Sequence, residues 1–295
     1  MASRTADQRL PEPVCEQTPI GQVGQWVIES QLFNLSFSSL ALGDVCEDTY
    51  VVGDLTLARP EKKNALSNAM YGVLADSLEA AEKDPAIRVV VFQAEGDSFT
   101  AGNDLADFTA QATGAFSGER HVGRFLKALA HATRPLVAAV HGQAVGVGTT
   151  MLLHCDLVFT SPDARLTTPF VNLALVPEAA SSWLLPARIG HARAYAMFAL
   201  GEAVDGTTAA AWGLSNAVVP LDELRARARS AADQLAKRPL GALTVTKTLM
   251  RDAEKIAALM DTEGALFAAR LQTAEAREAF MAFAERRPAD FSKVG

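Results

Sequence analysis

Two glycine-containing segments, residues 99–104 (FTAGND) and 141–148 (HGQAVGVG), carry the residue types best suited to chemistry in this chain. Glycine adopts positive φ angles at little steric cost, so each segment can turn sharply and point backbone N–H groups outward. Such N–H groups, when aimed at one point, stabilise a negatively charged oxygen. The second segment is followed by neither the Lys-Ser/Thr pair of a phosphate loop nor a suitably placed acidic residue of a dinucleotide fold, which argues against a nucleotide site. The pattern predicts an oxyanion site, with an ordinary tight turn as the alternative.

The chain offers few candidates for a catalytic acid or base. It has no Gly-x-Ser-x-Gly elbow, so a serine hydrolase of the α/β type is not supported. His141 and His154 have no obvious carboxylate partner at short range, and we interpret both as structural histidines. Glu178 lies among apolar residues, where burial raises the pKa of a carboxyl towards a value useful for a base. The alternative is a glutamate that only stabilises the first turn of a helix after Pro177.

Alternating strands and helices must hold these residues in place. The run at 51–57 is rich in residues that favour strands and predicts a strand, and the three- and four-residue spacing of apolar residues at 67–83 predicts a helix that Pro85 ends. The pattern continues with strands at 89–92, 136–140 and 157–160 and helices at 123–131 and 148–154. This alternation predicts an α/β fold. Beyond residue 183 the chain is Ala-rich and is predicted to be helical, above all at 241–285.

Composition narrows the possible environments and partners. The chain has 295 residues, of which 49% are hydrophobic and 21% charged, an ordinary globular composition. Its formal net charge of -7 disfavours non-specific binding to nucleic acid, which depends on clustered Lys and Arg. The three cysteines include no C-x-x-C pair, and the sequence shows neither a signal-peptide pattern nor an apolar stretch of membrane-spanning length. We therefore expect a cytoplasmic protein without disulfides, a membrane contact or a nucleic-acid partner.

Five motifs resemble the crotonase, or enoyl-CoA hydratase/isomerase, superfamily. They are residues 59–67 (RPEKKNALS), 99–105 (FTAGNDL), 140–148 (VHGQAVGVG), 212–219 (WGLSNAVV) and 283–291 (FAERRPADF). The resemblance implies an α/β fold with a crotonase-like spiral of ββα units and a C-terminal helical region used in trimer formation. On this basis we expect an N-terminal extension of unknown role at 1–44, a spiral core with the active site at 45–240, and the C-terminal helical region at 241–295.

The resemblance also implies the substrate and several site residues. Members of the family act on acyl-CoA thioesters, so coenzyme A enters as part of the substrate, and no separate cofactor or metal is expected. The thioester oxygen is held by two backbone N–H groups, whose positions match Asn103 and Val147. Further substrate contacts are predicted at Lys63, Ala101, Gly102, Gly146, Phe170, Trp183 and Arg286. The alternatives are plain core packing for the apolar residues of this set and solvated surface charge for the basic ones.

The sequence departs from the family pattern at the positions that decide the reaction. Hydratases of the family carry two glutamates that activate water, and the matching positions here are Thr150 and Phe170, which cannot accept a proton at neutral pH. Residues 168–186 are instead similar to peroxisomal-type delta-3,delta-2-enoyl-CoA isomerases, in which a single glutamate follows the proline, as Glu178 does here.

The resemblance thus implies an isomerase, forming a homotrimer or a dimer of trimers, that converts 3-enoyl-CoA to 2-enoyl-CoA. The base would remove a proton from C2, and a proton would return to C4 of the dienolate. Two alternatives stay open. One is another crotonase reaction on acyl-CoA, such as weak hydration, hydrolysis or decarboxylation, and the other is a non-catalytic homologue that binds acyl-CoA or RNA.

Overall fold

A computed structural model describes residues 50–104, 107 and 118–294, together with the backbone of strand β1 (Phe33–Leu40). The first half contains β2 (Tyr50–Leu57), α1 (Asn68–Lys83), β3 (Ile87–Ala94), α2 (His121–His131), β4 (Leu136–Val140), β5 (Gln143–Val145), α3 (Val147–Thr150), β6 (Leu157–Thr160) and β7 (Arg165–Thr167). The second half contains α4 (Ser181–Ile189), α5 (His191–Tyr195), β8 (Val204–Asp205), α6 (Gly206–Trp212), β9 (Ala217–Val218), α7 (Leu221–Ala236), α8 (Leu240–Met250), α9 (Ala253–Leu271) and α10 (Ala274–Ala284).

In the described part of the chain, six strands form the larger sheet, in the order β1-β2-β3-β4-β6-β9. β1 pairs antiparallel with β2, and the other neighbours are parallel. The central strand β3 is buried on both faces, because Val89 and Val91 pack with α7 while Val90 and Phe92 belong to the main core with α1. Burial on both faces explains why this strand is a continuous apolar run. The strand and helix order confirms the predicted α/β fold class.

A second layer brings the two glycine-containing segments side by side. β5, β7 and β8 form a small sheet, and isolated parallel bridges join Leu66 to Asn103 and Thr100 to Ala144. The N–H of Val145 donates to the carbonyl of Thr100 at 3.0 Å. Successive segments of the chain that pass through this second layer therefore lie side by side, as expected of a spiral of ββα units. Residues 99–104 and 141–148 become neighbours for this reason.

The C-terminal region is helical, as predicted, but it is divided into three helices. Asp252 caps α9 by accepting the N–H of Lys255, and Thr273 caps α10 by accepting the N–H of Ala276. Caps of this kind satisfy the first N–H groups of a helix and define where it begins. α9 also packs against α2, and together with α1 these two helices surround a cavity.

The short elements and the chain termini differ from the sequence prediction or add to it. The helix expected at 148–154 is α3 followed by a 3-10 turn at Met151–His154. Within the predicted extension 1–44, β1 forms the edge of the larger sheet, and the rest of that segment lies outside the described residues. On α8, Leu249 and Met250 are exposed, and the trimer that would cover such residues stays a prediction. In the described part of the chain, no helix is both long and apolar enough to cross a membrane.

Candidate active site

A cavity of about 320 Å³ opens between α1, α2 and α9, and the predicted base Glu178 lies in its wall together with Asn103. Most of its surface is apolar. The apolar side chains that line it are Leu66, Val122, Leu126, Met260, Phe267 and Leu271. Two glycines, Gly123 on α2 and Gly264 on α9, also face it. The structure therefore places the proposed base and one proposed oxyanion residue beside a space suited to an acyl chain.

Glu178 differs from the other carboxylates of this cavity in its partners. Among the described residues, the other three are each held by a charged or backbone donor: Asp104 by Arg59 at 2.6 Å, Asp107 by the N–H of Asn68 at 2.6 Å and Asp261 by Lys127 at 2.9 Å. Oε1 of Glu178 accepts a hydrogen bond from the neutral hydroxyl of Thr150 at 2.6 Å. Among residues 50–104 and 118–294, no group of three or more His, Cys, Asp or Glu is placed to hold a metal ion. Glu178 is therefore the cavity carboxylate best placed to accept a proton.

The environment of Glu178 makes its carboxyl a base for neutral pH. Burial raises the pKa of Glu178 from 4.5 to about 7, since the charged form is poorly solvated in the cavity wall. The hydrogen bond from Thr150 opposes this shift, and the negative charge of Glu263 reinforces it. A base with a pKa near the working pH combines a large deprotonated fraction with a strong tendency to take up a proton. Burial in the cavity wall is thus the cause of the raised pKa that the apolar neighbours of Glu178 predict.

Replacing Glu178 with glutamine is expected to raise the free energy of unfolding at pH 8. Between pH 4.5 and about 7 the folded state keeps a proton on Glu178 that the unfolded state has lost. The retained proton stabilises the folded state at low pH, and this stabilisation is lost as the pH rises through 7. At about 1.4 kcal/mol per pKa unit, E178Q should exceed the wild type by roughly 3 kcal/mol at pH 8 and by much less near pH 5. Urea unfolding at both pH values measures the difference.

The matched control for this stability prediction is Glu278→Gln on α10. The hydrogen bonds from Arg287 hold the pKa of Glu278 at about 2, which is a shift of the opposite sign. Its stabilising contribution is present at neutral pH and is lost as the pH falls, so E278Q should be less stable than the wild type at pH 8. An E178Q advantage of the same size at both pH values would contradict the raised pKa of Glu178.

Each glycine-containing segment carries one of the two backbone N–H groups that the sequence predicts for an oxyanion site. Gly102 has φ +86°, which turns the chain so that Asn103 follows it into the cavity wall. Within the described residues, the N–H of Asn103 has no hydrogen-bond acceptor. Val147 is the first residue of α3 after Gly146 (φ +58°), so its N–H has no acceptor within its own helix. Val147 is buried and does not itself line the cavity.

Tyr71 is a site residue that the sequence did not predict. Its hydroxyl donates to Oδ1 of Asn103 at 2.6 Å, and the ring is buried in the cavity wall. Burial, together with the nearby charge of Glu178, raises the pKa of Tyr71 well above its ordinary value, so the phenol stays protonated. This contact fixes the side chain of the residue whose N–H is the proposed oxyanion donor. In the sequence, Tyr71 looks like one more residue on the buried face of α1.

The other predicted substrate-contact residues are not among those that line this cavity. Ala101 and Gly102 lie in the first glycine-containing segment and Gly146 in the second, and the N–H of Ala101 donates to the carbonyl of exposed Lys63 at 2.8 Å. The remaining three residues lie elsewhere: Phe170 packs against Phe198 with ring centroids 6.1 Å apart, Trp183 lies under the ammonium of Lys255, and Arg286 is exposed after α10. None of these seven residues lines the cavity beside Glu178, so their substrate contacts stay predictions.

The two histidines near the second segment make structural contacts. Nε2 of His154 lies 2.9 Å from the carbonyl oxygen of Ala179, and Nε2 of His141 lies 3.0 Å from that of Gly96. Because a carbonyl can only accept, both Nε2 atoms carry the proton. Burial and nearby cations, among them Arg251, lower the pKa of His154 to about 3, so its ring is neutral. These contacts agree with a structural role, and neither ring lines the cavity beside Glu178.

Comparison with known proteins assigns the chain and its fold to a family. The family model for enoyl-CoA hydratase/isomerase matches residues 47–294. A crystal structure of an enoyl-CoA hydratase/isomerase from Pseudoalteromonas atlantica T6c is 44% identical, with a TM-score of 0.77, over 81% of this chain and 96% of that one. The 1,2-epoxyphenylacetyl-CoA isomerase of Escherichia coli K12 is 32% identical over 81% of this chain and 94% of its own length.

Relatives with different reactions match this chain to a similar degree. Enoyl-CoA delta isomerase 2 of Rattus norvegicus is 33% identical over 79% of this chain, which spans 61% of the length of that protein. Proteins named as hydratases are 32% identical over comparable lengths, so the names of relatives do not distinguish isomerisation from hydration. The family prediction is confirmed, and the reaction must be argued from the site. The chain is an acyl-CoA enzyme that belongs to the enoyl-CoA hydratase/isomerase, or crotonase, family.

Proposed function

We propose that this chain isomerises 3-enoyl-CoA to 2-enoyl-CoA, with Glu178 as the only acid-base residue. The observation that carries this proposal is the pair formed by Glu178 and Thr150: where the family's hydratases place a glutamate, this chain has a hydroxyl that donates to Glu178 at 2.6 Å. Hydration by the two-glutamate route needs a second carboxylate to position water, and the other family position is Phe170, which is buried. A double-bond shift needs only one base.

The proposed reaction needs only Glu178 and the two backbone N–H groups. Glu178 takes the proton from C2, and the electron pair of that C–H bond moves into the thioester to give a dienolate with negative charge on oxygen. The N–H groups of Asn103 and Val147 would donate to that oxygen, which lowers the barrier to losing the proton. Protonated Glu178 then returns the proton to C4, and the double bond comes to lie between C2 and C3. The carboxylate is regenerated, so the cycle is balanced.

A direct assay separates the proposed reaction from its main alternative. The purified protein would be incubated with 3-hexenoyl-CoA, and the conjugated 2-enoyl thioester followed by its ultraviolet absorbance. In parallel, crotonyl-CoA would be offered and the 3-hydroxyacyl product sought by mass spectrometry. We expect isomerisation to be much faster than hydration. Hydration at an equal or higher rate would overturn the proposal in favour of a hydratase.

We also propose that the acyl chain runs along the cavity between α2 and α9. Gly264 faces this space, and a Cβ atom built on it has no heavy atom within 4 Å. Gly264→Leu is therefore expected to fill part of the cavity without a clash. The ratio of kcat/KM for a long 3-enoyl-CoA over that for 3-hexenoyl-CoA should fall by about tenfold, since excluded methylene groups cost about 1–3 kcal/mol of discrimination.

Gly241→Leu is the matched control for this chain-length prediction. Gly241 is also a helical glycine with open space around it, but it lies on α8 and does not line the cavity. Both variants replace a helical glycine and should gain helix propensity alike. Kinetics with a series of chain lengths measure the effect. An unchanged preference in G264L, or the same change in G241L, would contradict the proposed acyl path.

A further inference from the structure

A buried carboxylate on α9, Glu263, holds the turn that carries Glu178. Its oxygens accept hydrogen bonds from the N–H of Ala180 at 2.6 Å, the N–H of Ser182 at 3.0 Å and the hydroxyl of Ser182 at 2.5 Å. Glu263 is only 5% exposed and does not line the cavity. Among the described residues, its hydrogen bonds all come from residues that follow Glu178, so it holds the position of Glu178 through that turn.

The turn needs such support because its backbone is strained. Ala179 has φ +59° and Ala180 has φ +56°, two consecutive alanines in the left-handed region. An alanine in this region costs about 1–2 kcal/mol, so the conformation persists only where other contacts impose it. Glu263 accepts three hydrogen bonds at the end of the turn. On the other side, Nε2 of His154 donates to the carbonyl of Ala179 at 2.9 Å.

We propose that Glu263 is a positioning residue that fixes the left-handed Ala179-Ala180 turn and thereby aims the Glu178 carboxylate into the cavity. The inference rests on the proposed role of Glu178 as the base. It adds that the geometry of the base is set from α9, the same helix that forms a wall of the acyl cavity. The base and the proposed acyl path therefore share one rigid support.

Glu263 also acts on Glu178 through its charge. The negative charge of Glu263 raises the pKa of Glu178, because a nearby negative charge disfavours a second one. Other charged or titratable groups also face this region. From the cavity side they are Tyr71, Asp104, Asp107, Arg120, Lys127 and Asp261, and behind the turn they are His154 and its partner Arg251. His154 is neutral, and the carboxylates and cations of the cavity are unchanged when Glu263 alone is replaced.

The test is the variant Glu263→Gln in the full chain, with Glu278→Gln as the matched control. Glutamine keeps the shape of the side chain but loses the charge and one acceptor oxygen. We expect kcat for 3-hexenoyl-CoA to fall by up to about 100-fold, as for an ångström-scale misplacement of a catalytic group, while KM changes little. The rise of kcat with pH, which reports deprotonation of Glu178, should move to lower pH. E278Q, which alters a buried carboxylate that supports only the C-terminal segment, should leave both quantities unchanged.

Ser182→Ala separates the hydrogen bonds of Glu263 from its charge. It removes one donor to Glu263 but keeps the carboxylate, so kcat should fall by several-fold while the pH dependence stays in place. It also serves if E263Q does not fold, since Ser182 is exposed. An unchanged kcat in S182A would then overturn the proposal. In folded E263Q, unchanged kcat with an unchanged pH dependence would overturn it as well.

A titration that needs no turnover distinguishes failure of this inference from failure of the proposed function. Glutamate carboxyl carbons would be labelled with carbon-13, and the Glu178 signal assigned by its loss in E178Q. The NMR midpoint of that signal should be lower in E263Q than in the wild type. A shifted midpoint in a protein without isomerase activity would reject the function and keep the link between Glu263 and Glu178. An unshifted midpoint in an active isomerase would reject the link and keep the function.

Discussion

Glu178→Gln is expected to lower kcat for isomerisation of 3-enoyl-CoA by about 10²- to 10⁴-fold, the range for loss of a general base. Glutamine has the shape of glutamate and can still accept the hydroxyl of Thr150, which lies 2.6 Å from Oε1. It cannot take a proton from C2, however, so the dienolate cannot form. Steady-state kinetics with 3-hexenoyl-CoA measure the loss. Calorimetric titration with a saturated acyl-CoA should show nearly unchanged binding, because the cavity keeps its shape.

Thr150→Val is the matched control for loss of the base. It keeps the carboxylate of Glu178 and removes only the hydrogen bond that lowers the pKa of that group. The rise of kcat with pH should therefore move to higher pH, and kcat above that rise should fall far less than in E178Q. Retention of wild-type kcat in E178Q would show that another group removes the C2 proton, and the isomerase mechanism proposed for this site would then be wrong.

Family membership does not reveal the reaction, because the backbone donors and the acid-base side chains depend on different residues of the chain. The proposed oxyanion donors are backbone N–H groups, so Asn103 and Val147 can differ in side chain from their relatives without changing the fold or the polarity of the proposed site. The proposed acid-base chemistry, in contrast, depends on the single side chains at Thr150, Phe170 and Glu178. Relatives that share about a third of their residues with this chain can therefore share its fold and still be named for different reactions.

Much of the fold can be predicted from the sequence where an element is long enough to show a period. α1 and β3 were expected from their apolar spacing, and Ser67 caps α1 by accepting the N–H of Met70. The small second sheet could not be predicted in this way. Its strands β5, β7 and β8 have two or three residues each, fewer than one repeat of a recognisable pattern. They are held by contacts between distant segments, such as the bridge from Thr100 to Ala144.

The sequence could predict candidate site residues only where a reactive side chain or backbone donor lies in or beside a recognisable sequence motif. Glu178 stands out because a carboxylate among apolar residues needs an explanation, and the structure places it in the cavity wall. Tyr71 and Glu263 were missed, since each looks like an ordinary residue of an amphipathic helix until tertiary packing brings it to the site. Trp183 follows Glu178 closely in sequence, but its ring contacts Lys255 and does not line the cavity, so its substrate contact stays a prediction.

The shape of the first glycine-containing segment depends on a contact that only glycine allows. Gly102 has φ +86°, and a Cβ atom built on it would lie 2.7 Å from the carbonyl oxygen of Val145. Val145 belongs to the second segment, the one that leads into α3 and Val147. Gly102 is therefore one of the points where the two proposed oxyanion segments touch, and a methyl group there would push Asn103 and Val147 apart.

Gly102→Ala is accordingly expected to lower kcat for isomerisation by about 10²- to 10³-fold, as for loss of one oxyanion donor. Strain at positive φ should also lower the free energy of unfolding by about 1–3 kcal/mol. Gly213→Ala is the matched control, because Gly213 has φ +85° but its nearest neighbour would lie 4.0 Å from the new Cβ atom, at the end of α6. It should lose similar stability and keep kcat. Equal kcat in the two variants would mean that separating these segments does not disturb the enolate, and the oxyanion site would have to lie elsewhere.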